Sequence, residues 1–254
     1  MRKELTLLML VFLTCALHAQ PCMPALFHEG QMTECYVAQI DSTLRVTDTP
    51  ASTGGNSVEP SVTGGVSNIT NQKNNTRGTT DGHDWVNLGL PSGTLWATCN
   101  IGASRPEDCG DYFAWGELAA KKSYAESNYS FSENASTLSW KNDAASVLWR
   151  NDWRMPSPEQ FEELRNECAW VWDGNNKGYK IVGHNGSAIF LPAAGNFSGS
   201  LHSAGSCGCY WSRTLCSNST SSAWYLLFYS SNISTYSYYD RYIGQSVRPV
   251  RMSP

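Results

Sequence analysis

Long apolar runs and blocks of like charge are both scarce in this sequence. Charged residues make up only 16% of its 254 positions, and Lys and Arg form no stripe, which removes the electrostatic footprint of a nucleic-acid partner. The longest apolar run, Leu5–Leu17, has thirteen residues, short of the roughly 20 needed to span a bilayer. No transmembrane segment is therefore expected in the mature chain. Histidine is sparse, and His83, His184 and His202 of the C-terminal part stand in no triad-like pattern. Acid is sparse late in the chain too, where Asp240 is the only acidic residue after Asp173. Calcium takes six to eight oxygen ligands, so calcium-dependent binding late in the chain has nothing to build on. The earlier cluster Glu107, Asp108 and Asp111 reads as a solvated loop.

Trp is missing and Tyr nearly so before residue 85. All ten Trp lie at or beyond Trp85, and of twelve Tyr only Tyr36 precedes it. The core-forming chemistry thus sits in about 170 C-terminal residues, enough for one domain to bury close to 70% of its surface. From Asp81 onward 16 acidic residues face 13 basic ones, a slight negative balance.

What stands at the beginning is a tripartite export pattern: Arg2 and Lys3, then the apolar run, then His18-Ala19-Gln20 with a small residue at the cleavage point. Residues 1–19 are expected to be a signal peptide cleaved after Ala19, which places the protein outside the cytoplasm, secreted or at the cell surface. Lipidation at Cys15, after Phe12-Leu13-Thr14, is the alternative, with Thr before the Cys a poor fit. Residues 20–48 form a mixed segment without assignment. From Ala51 to Thr80, twenty of thirty residues are Ser, Thr, Gly or Asn. Such a composition cannot bury enough apolar surface to offset ordering entropy and reads as a flexible spacer. The expected division is signal 1–19, segment and spacer 20–80, and one domain over 81–254.

Eight cysteines remain after export: Cys22, Cys35, Cys99, Cys109, Cys168, Cys207, Cys209 and Cys216. An even number in an oxidising compartment permits disulfides, without fixing connectivity. Cys207-Gly-Cys209 with Cys216 raises a metal site as well, but thiolate zinc sites favour C-x2-C spacing, and only His202 is near. Disulfide or free thiol is the reading preferred here, and no metal or other cofactor is expected.

Trp85–Leu90 and Thr94–Ile101 are strand-like and divided by Pro91-Ser92-Gly93, which predicts a hairpin. Tyr112–Trp115 is a short apolar run, and residues 116–139 look like a long surface excursion. Asp143 is placed to cap a brief helical turn through Ala144, Ala145, Val147 and Leu148. A second helix is predicted from Ser157-Pro158-Glu159-Gln160, where Ser157 caps, Pro158 takes the first position and Gln160 completes a capping box. Phe161, Leu164 and Cys168 then share one face, with Cys168 in packing or a structural disulfide. Ser187–Ala194, Tyr210–Thr214, Ser222–Tyr229 and Gln245–Met252 are further strands. Strands, a little helix and then many strands argue for an α+β domain with an antiparallel sheet. Alternation in Ala223–Tyr229 predicts Trp224, Leu226 and Phe228 on a buried face, with Tyr225, Leu227 and Tyr229 on the other.

The blocks WVNLGLPSGTLWATCNIGA, DYFAWGE, WRMPSPEQFEEL, GHNGSAIFLPAAG, YWSRT and GQSVRPVR occur in this order across Trp85–Arg251. Together they resemble the Fibrobacter succinogenes major paralogous domain family, abundant in exported proteins of gut Bacteroidetes. That family is related to the C-terminal domain of a collagen-like adhesin of Legionella and, more distantly, to C-type-lectin-like folds. The resemblance covers nearly all of the aromatic domain and none of the first 80 residues. It implies a C-type-lectin-like domain with paired N- and C-terminal strands, its helix at 157–168, and Trp149, Trp153 and Trp211 in or near the core. It carries over no functional residue.

Three functions remain open at this point. The first is a recognition or adhesion module with an extracellular carbohydrate or protein ligand. Its contacts are assigned to Tyr236, Tyr238, Tyr239 and Asp240, because exposed aromatics give rigid contact area at low entropic cost. The second is a structural or assembly part of a surface appendage. The third is a relative of formylglycine-generating oxidases, on the strength of Arg154–Glu159 and the late cysteines. A thiol nucleophile needs an activating base or cation, and no such constellation is visible, so a non-enzymatic protein is expected.

Overall fold

A computed structural model of the chain describes residues 76–150 and 152–253. The signal peptide, Cys15, Cys22, Cys35 and most of the spacer lie outside the described residues. The described part belongs to one compact unit spanning Asn71–Pro254. No helix in it is long and apolar enough to cross a membrane.

Twelve strands and two α-helices make up the unit: β1 Arg77–Thr80, β2 His83–Asn87, β3 Thr94–Ala97, α1 Ala144–Trp149, α2 Pro158–Glu167, β4 Ala169–Asp173, β5 Gly178–Val182, β6 Ala188–Pro192, β7 Asn196–Ser198, β8 Ser200–His202, β9 Cys207–Leu215, β10 Ser222–Tyr229, β11 Asn232–Asp240 and β12 Val250–Met252. Every strand pairing is antiparallel, within sheets ordered β1-β2-β3-β12, β11-β10-β9, β4-β5-β6 and β7-β8. This is the α+β class expected from the order of elements. The predicted first hairpin forms, with Trp85 opposite Ala97. The last strand, β12, joins its far side, with Val250 opposite Trp96.

Helix α2 forms where its cap was legible. Gln160 N donates to Ser157 Oγ at 3.3 Å, and Ser157 N donates to Gln160 Oε1 at 2.9 Å. Phe161 and Leu164 are buried, each worth about 1.5–3 kcal/mol of apolar burial. Cys168 ends the helix, half-buried against the same core. Helix α1 is shorter and forms where expected. Asp143 caps it, but its buried residues are Ala144, Ala145, Ser146 and Trp149, while Val147 and Leu148 face solvent.

Two hydrophobic cores lie on either side of the β9–β10 pair. Trp115, Trp149, Trp153, Trp211 and Tyr225 belong to one, and Trp96, Phe161, Tyr179, Tyr210 and Phe228 to the other. Along β9 the period of two sends Cys207, Cys209 and Trp211 to the first core and Tyr210 to the second. A β-carbon on Gly208 would sit 2.0 Å from the Phe228 ring, so the tandem Cys-Gly-Cys spacing follows from a strand pressed from its other face. The alternation expected for β10 holds, but both of its faces meet a core: Tyr225 is buried in the first with Leu227 half-buried beside it, and Leu226 and Phe228 are buried in the second. Trp224, expected on the buried face, is half-exposed. Register irregularities occur between Ala223 and Tyr225 and between Tyr225 and Leu227.

Two buried arginines fasten loops to this frame. Arg248 donates from Nε to Asn100 Oδ1 at 2.8 Å and from Nη1 to the carbonyls of Ala97 and Thr98. Arg241 holds the 116–139 excursion. It sits 4.9 Å over Trp115, 5.5 Å over Tyr129 and 5.2 Å over Phe131. Its donors reach Tyr129 Oη, Asn134 Oδ1 and the carbonyls of Thr220, Phe131 and Glu133. This guanidinium gathers residues 129–134 of the excursion, and backbone bonds of Tyr124, Ser136 and Leu138 to Gly199, Leu215 and Arg213 hold it elsewhere.

Candidate functional site

Where the excursion ends, Trp140 projects from the surface with 64% of its area exposed. It borders an open hollow of about 420 Å³, lined also by Ser146 and Val147 of α1 and by Arg150 and Arg154. That volume falls within the roughly 300–1,000 Å³ typical of small-ligand sites. Lys141 Nζ lies 5.5 Å from the centre of the Trp140 ring. Leu148, 43% exposed, and Val147, 37% exposed, continue the apolar surface.

Asp143 sets the geometry of this hollow. Its buried carboxylate accepts from Ser146 N, which starts α1, and from Met155 N with both oxygens, at 3.1 and 2.9 Å. The two walls, one carrying Val147 and the other Arg154, are thus tied to one side chain. Burial pushes the Asp143 carboxyl above its usual range, against the pull of the Ser146 and Met155 N–H groups and of Arg154. Underneath, His83 stacks on Trp149 with ring centres 3.8 Å apart and planes 3° from parallel, edge-on to Trp153. Burial lowers the His83 pKa, opposed by the charges of Asp81 and Asp84.

Arg150 ends α1 with φ 67° and ψ −177°, a region that is essentially glycine's and costs of order 1–3 kcal/mol for another residue. Its side chain is exposed at the rim of the hollow.

Comparison of the chain with family models, curated proteins and solved structures gives no match. The function has to be argued from the geometry.

The tyrosine segment singled out from sequence forms β11, an edge strand of its sheet. Tyr238 is half-buried and edge-on to Trp224 across the strand pair, with ring centres 5.9 Å apart. Tyr239 turns to the opposite face, half-buried against Tyr225 and the first core. Asp240, at the end of the strand, is half-buried. Tyr236 is on the same strand, and its side chain lies outside the described residues. The segment is therefore a strand with one register irregularity between Ser234 and Ser237, and Tyr238 and Tyr239 take its two faces.

The cysteines of the domain stand as thiols. Cys207 and Cys209 bring their sulfurs to 3.2 Å in the buried first core. The mutual hydrogen bond, helped by Tyr229, pulls the Cys207 thiol down against burial, and the same bond and burial push Cys209 up. Asn196, Tyr112, Tyr210, Tyr225, Tyr229 and Tyr239 act on the pair, a set without an imidazole or carboxylate. Cys216 is buried, while Cys99, Cys109 and Cys168 are half-buried. Burial raises the Cys109 and Cys168 thiols, the latter to about 11.

A second hollow, of about 330 Å³, has Arg77 and Lys180 facing Glu107 and Asp173 beside Phe190. Both signs of charge meet there, and Asp173 is engaged by Asn175 and Asn176. Asp108 of the acidic loop pairs with Arg105 at 2.7 Å, which holds its carboxyl below the usual range.

Sequence reasoning passed over Trp140. Its signal was a Trp set among polar neighbours in Ser-Trp-Lys-Asn-Asp, between the excursion and the Asp143 cap. An isolated Trp in a polar context has no core face to join.

Proposed function

We propose that this protein is an exported, non-enzymatic recognition or adhesion module of a bacterial surface or secreted protein, and that it binds its ligand in the Trp140 hollow. The observation that carries the proposal is the pairing of a 64% exposed Trp with an open hollow lined by Arg150 and Arg154. The other Trp residues of the domain are buried or half-buried. Exposed Trp supplies flat amphipathic contact area at low entropic cost, and a concave surface with a few polar groups is what small ligands occupy.

The fold supports the same reading. The domain is of the C-type-lectin-like kind, and of the Fibrobacter succinogenes major paralogous domain family, on the strength of the ordered sequence blocks. The pairing of β12 with β3, which closes the domain's two ends into one sheet, and the burial of Trp149, Trp153 and Trp211 agree with that assignment. A thiol oxidase reading draws no support from the Cys207–Cys209 pair. Both sulfurs are sealed in the core, and a thiol nucleophile needs a base or cationic setting to ionise it. An assembly role would use the same exposed surface, with a protein in place of a small ligand.

A glycan array probed with the full exported chain tests the proposal, with Trp140→Ala and Tyr238→Ser variants alongside. Binding lost in Trp140→Ala and kept in Tyr238→Ser supports the hollow. Loss confined to Tyr238→Ser moves the site to β11, and no binding by the wild type favours assembly.

A further inference from the structure

The Cys207–Cys209 pair has no part in the Trp140 hollow. Both side chains leave the same face of β9, because strand side chains alternate with a period of two. Their sulfurs lie 3.2 Å apart, and among the described residues no other two sulfurs meet. Phe228 closes on Gly208 from the other face, where a β-carbon would sit 2.0 Å from its ring. The strand therefore holds both cysteines on the side of the first core. At about 3.3 Å per residue, strand positions two apart have Cα atoms about 6.6 Å apart. That is inside the roughly 4.4–6.8 Å that a disulfide spans, and close to its upper limit. Asn196 Nδ2 reaches Cys209 Sγ at 3.9 Å, and among the described residues no third His, Cys, Asp or Glu joins the pair to complete a metal site.

We infer that Cys207 and Cys209 form a dithiol–disulfide couple, a redox site separate from the recognition surface. Cys207 is the attacking thiol. It stands opposite Tyr229 in the last pair of the β9–β10 ladder, and Tyr229 is 37% exposed, so fraying of this strand end uncovers Cys207 first. Cys209 lies deeper, opposite Leu227. The bonds from Cys209 and Tyr229 that lower the Cys207 thiol point to the same order. The Cys207 thiolate attacks one sulfur of an incoming disulfide, RSSR, and expels the first thiolate. Cys209 then attacks the Cys207 sulfur, the second thiolate leaves, and the two cysteine protons end on the two departing thiols. Two cysteine thiols and one RSSR thus give one protein disulfide and two RSH, with the electrons passing to the incoming disulfide. The loop from Cys207 to Cys209 is so short that the bond constrains the unfolded chain little. A Cα span near the upper limit also makes the bond easy to reduce. The couple is therefore reversible, and its oxidised form is the one that the proposed export would leave.

The test refolds the reduced full chain in glutathione buffers, then denatures it in excess alkylating agent and digests it with trypsin. The peptide 181–213, bounded by cleavage after Lys180 and Arg213, carries Cys207 and Cys209 and no other cysteine. From oxidised buffer this peptide takes up no alkyl group until it is reduced, and it is lighter by two hydrogens than the dithiol. A tenfold change in [GSH]²/[GSSG] moves its reduced-to-oxidised ratio about tenfold, as a two-electron couple requires. Cys209→Ser keeps glutathione on Cys207, whereas Cys207→Ser takes up little. An equal or opposite pattern overturns Cys207 as the attacking thiol. Two alkyl groups on the wild-type peptide from every buffer, or either cysteine bridged to a peptide outside 181–213, overturns the couple itself. The wild-type result holds even if a serine variant fails to fold. It is independent of glycan binding at Trp140, so the couple and the recognition site fail separately.

Discussion

Arg241 lies 4.9 Å over the Trp115 ring with its N–H groups taken by five oxygens, whereas Arg150 and Arg154 line a hollow beside Trp140 that opens to solvent. The residue types are the same in both places. Arg241 is 4% exposed and Trp115 1%, against 64% for Trp140. In the first place a cation is stacked on rings and its donors are spent on loop carbonyls, which converts a polar excursion into a fixed surface. In the second the Trp140 ring and the Arg150 side chain are exposed at the rim of the hollow. The same residue types close the fold where they are buried and form an open surface where they are not.

The strongest way to break this comparison is to remove the closed partner. Arg241→Met leaves the carbonyls of Phe131, Glu133 and Thr220 without their donor in a part-buried setting. Given about 1–3 kcal/mol for each orphaned buried group, with partial relief from water, the domain loses about 3–5 kcal/mol, read as a lower urea midpoint. The 116–139 segment should also become more open to proteolysis. A midpoint within experimental error of wild type would mean that the guanidinium does not hold the excursion.

Next in size is Asp143, which supports the open site from below. Asp143→Ala removes the α1 cap and leaves Met155 N unpaired in the interior, costing about 2–4 kcal/mol. Asp143→Asn keeps the acceptor oxygen and recovers most of that loss. Since burial raises the Asp143 carboxyl, the folded state holds its proton to higher pH than the unfolded state does. The wild-type carboxyl therefore contributes most at acid pH and less as pH rises through its folded value, so the asparagine variant falls furthest behind wild type at acid pH and gains on it towards neutral pH. Equal loss for alanine and asparagine would show that volume matters there and hydrogen bonding does not.

How far these features could be read from sequence differs in the same way. Helix α2 was legible because Ser157, Pro158 and Gln160 are a local code, complete within four residues, and Phe161 and Leu164 repeat it at helical spacing. The place of β10 was legible, but its faces were not. The period of two holds, but both faces of the strand meet a core, so pattern alone could not say that Tyr225 is buried. β11 was missed because Asn, Ser, Thr and Tyr alternate without an apolar face, and its order comes from pairing with β10. β4 and β5 escaped for a related reason: Trp170, Tyr179 and Ile181 are buried or half-buried only through contacts distant in sequence. Arg241 and Trp140 stand a hundred residues apart in roles that no local motif announces. The tyrosines were favoured as contacts by composition, while the exposed Trp beside two arginines is a feature of the folded surface.

The smallest expected effect concerns His83, whose stack on Trp149 lies behind α1. Its pKa is lowered from 6.5 by burial, so the unfolded chain takes up the proton first as pH falls. The contribution is full above pH 6.5 and is lost as pH drops through the lower folded value. Urea midpoints measured between pH 7.5 and 5.5 should fall more in wild type than in His83→Gln. Parallel pH profiles would remove His83 from the account.

The most direct measurement is of affinity and stability together in Trp140→Ala, using the glycan that the wild-type chain binds best. A ring with most of its area in solvent contributes little to folding, so the urea midpoint should change by less than about 0.5 kcal/mol. Affinity should fall at least about tenfold, or 1.4 kcal/mol. A variant that binds as wild type does, or one that loses binding only because it has unfolded, contradicts the claim that this hollow is an open site for recognition.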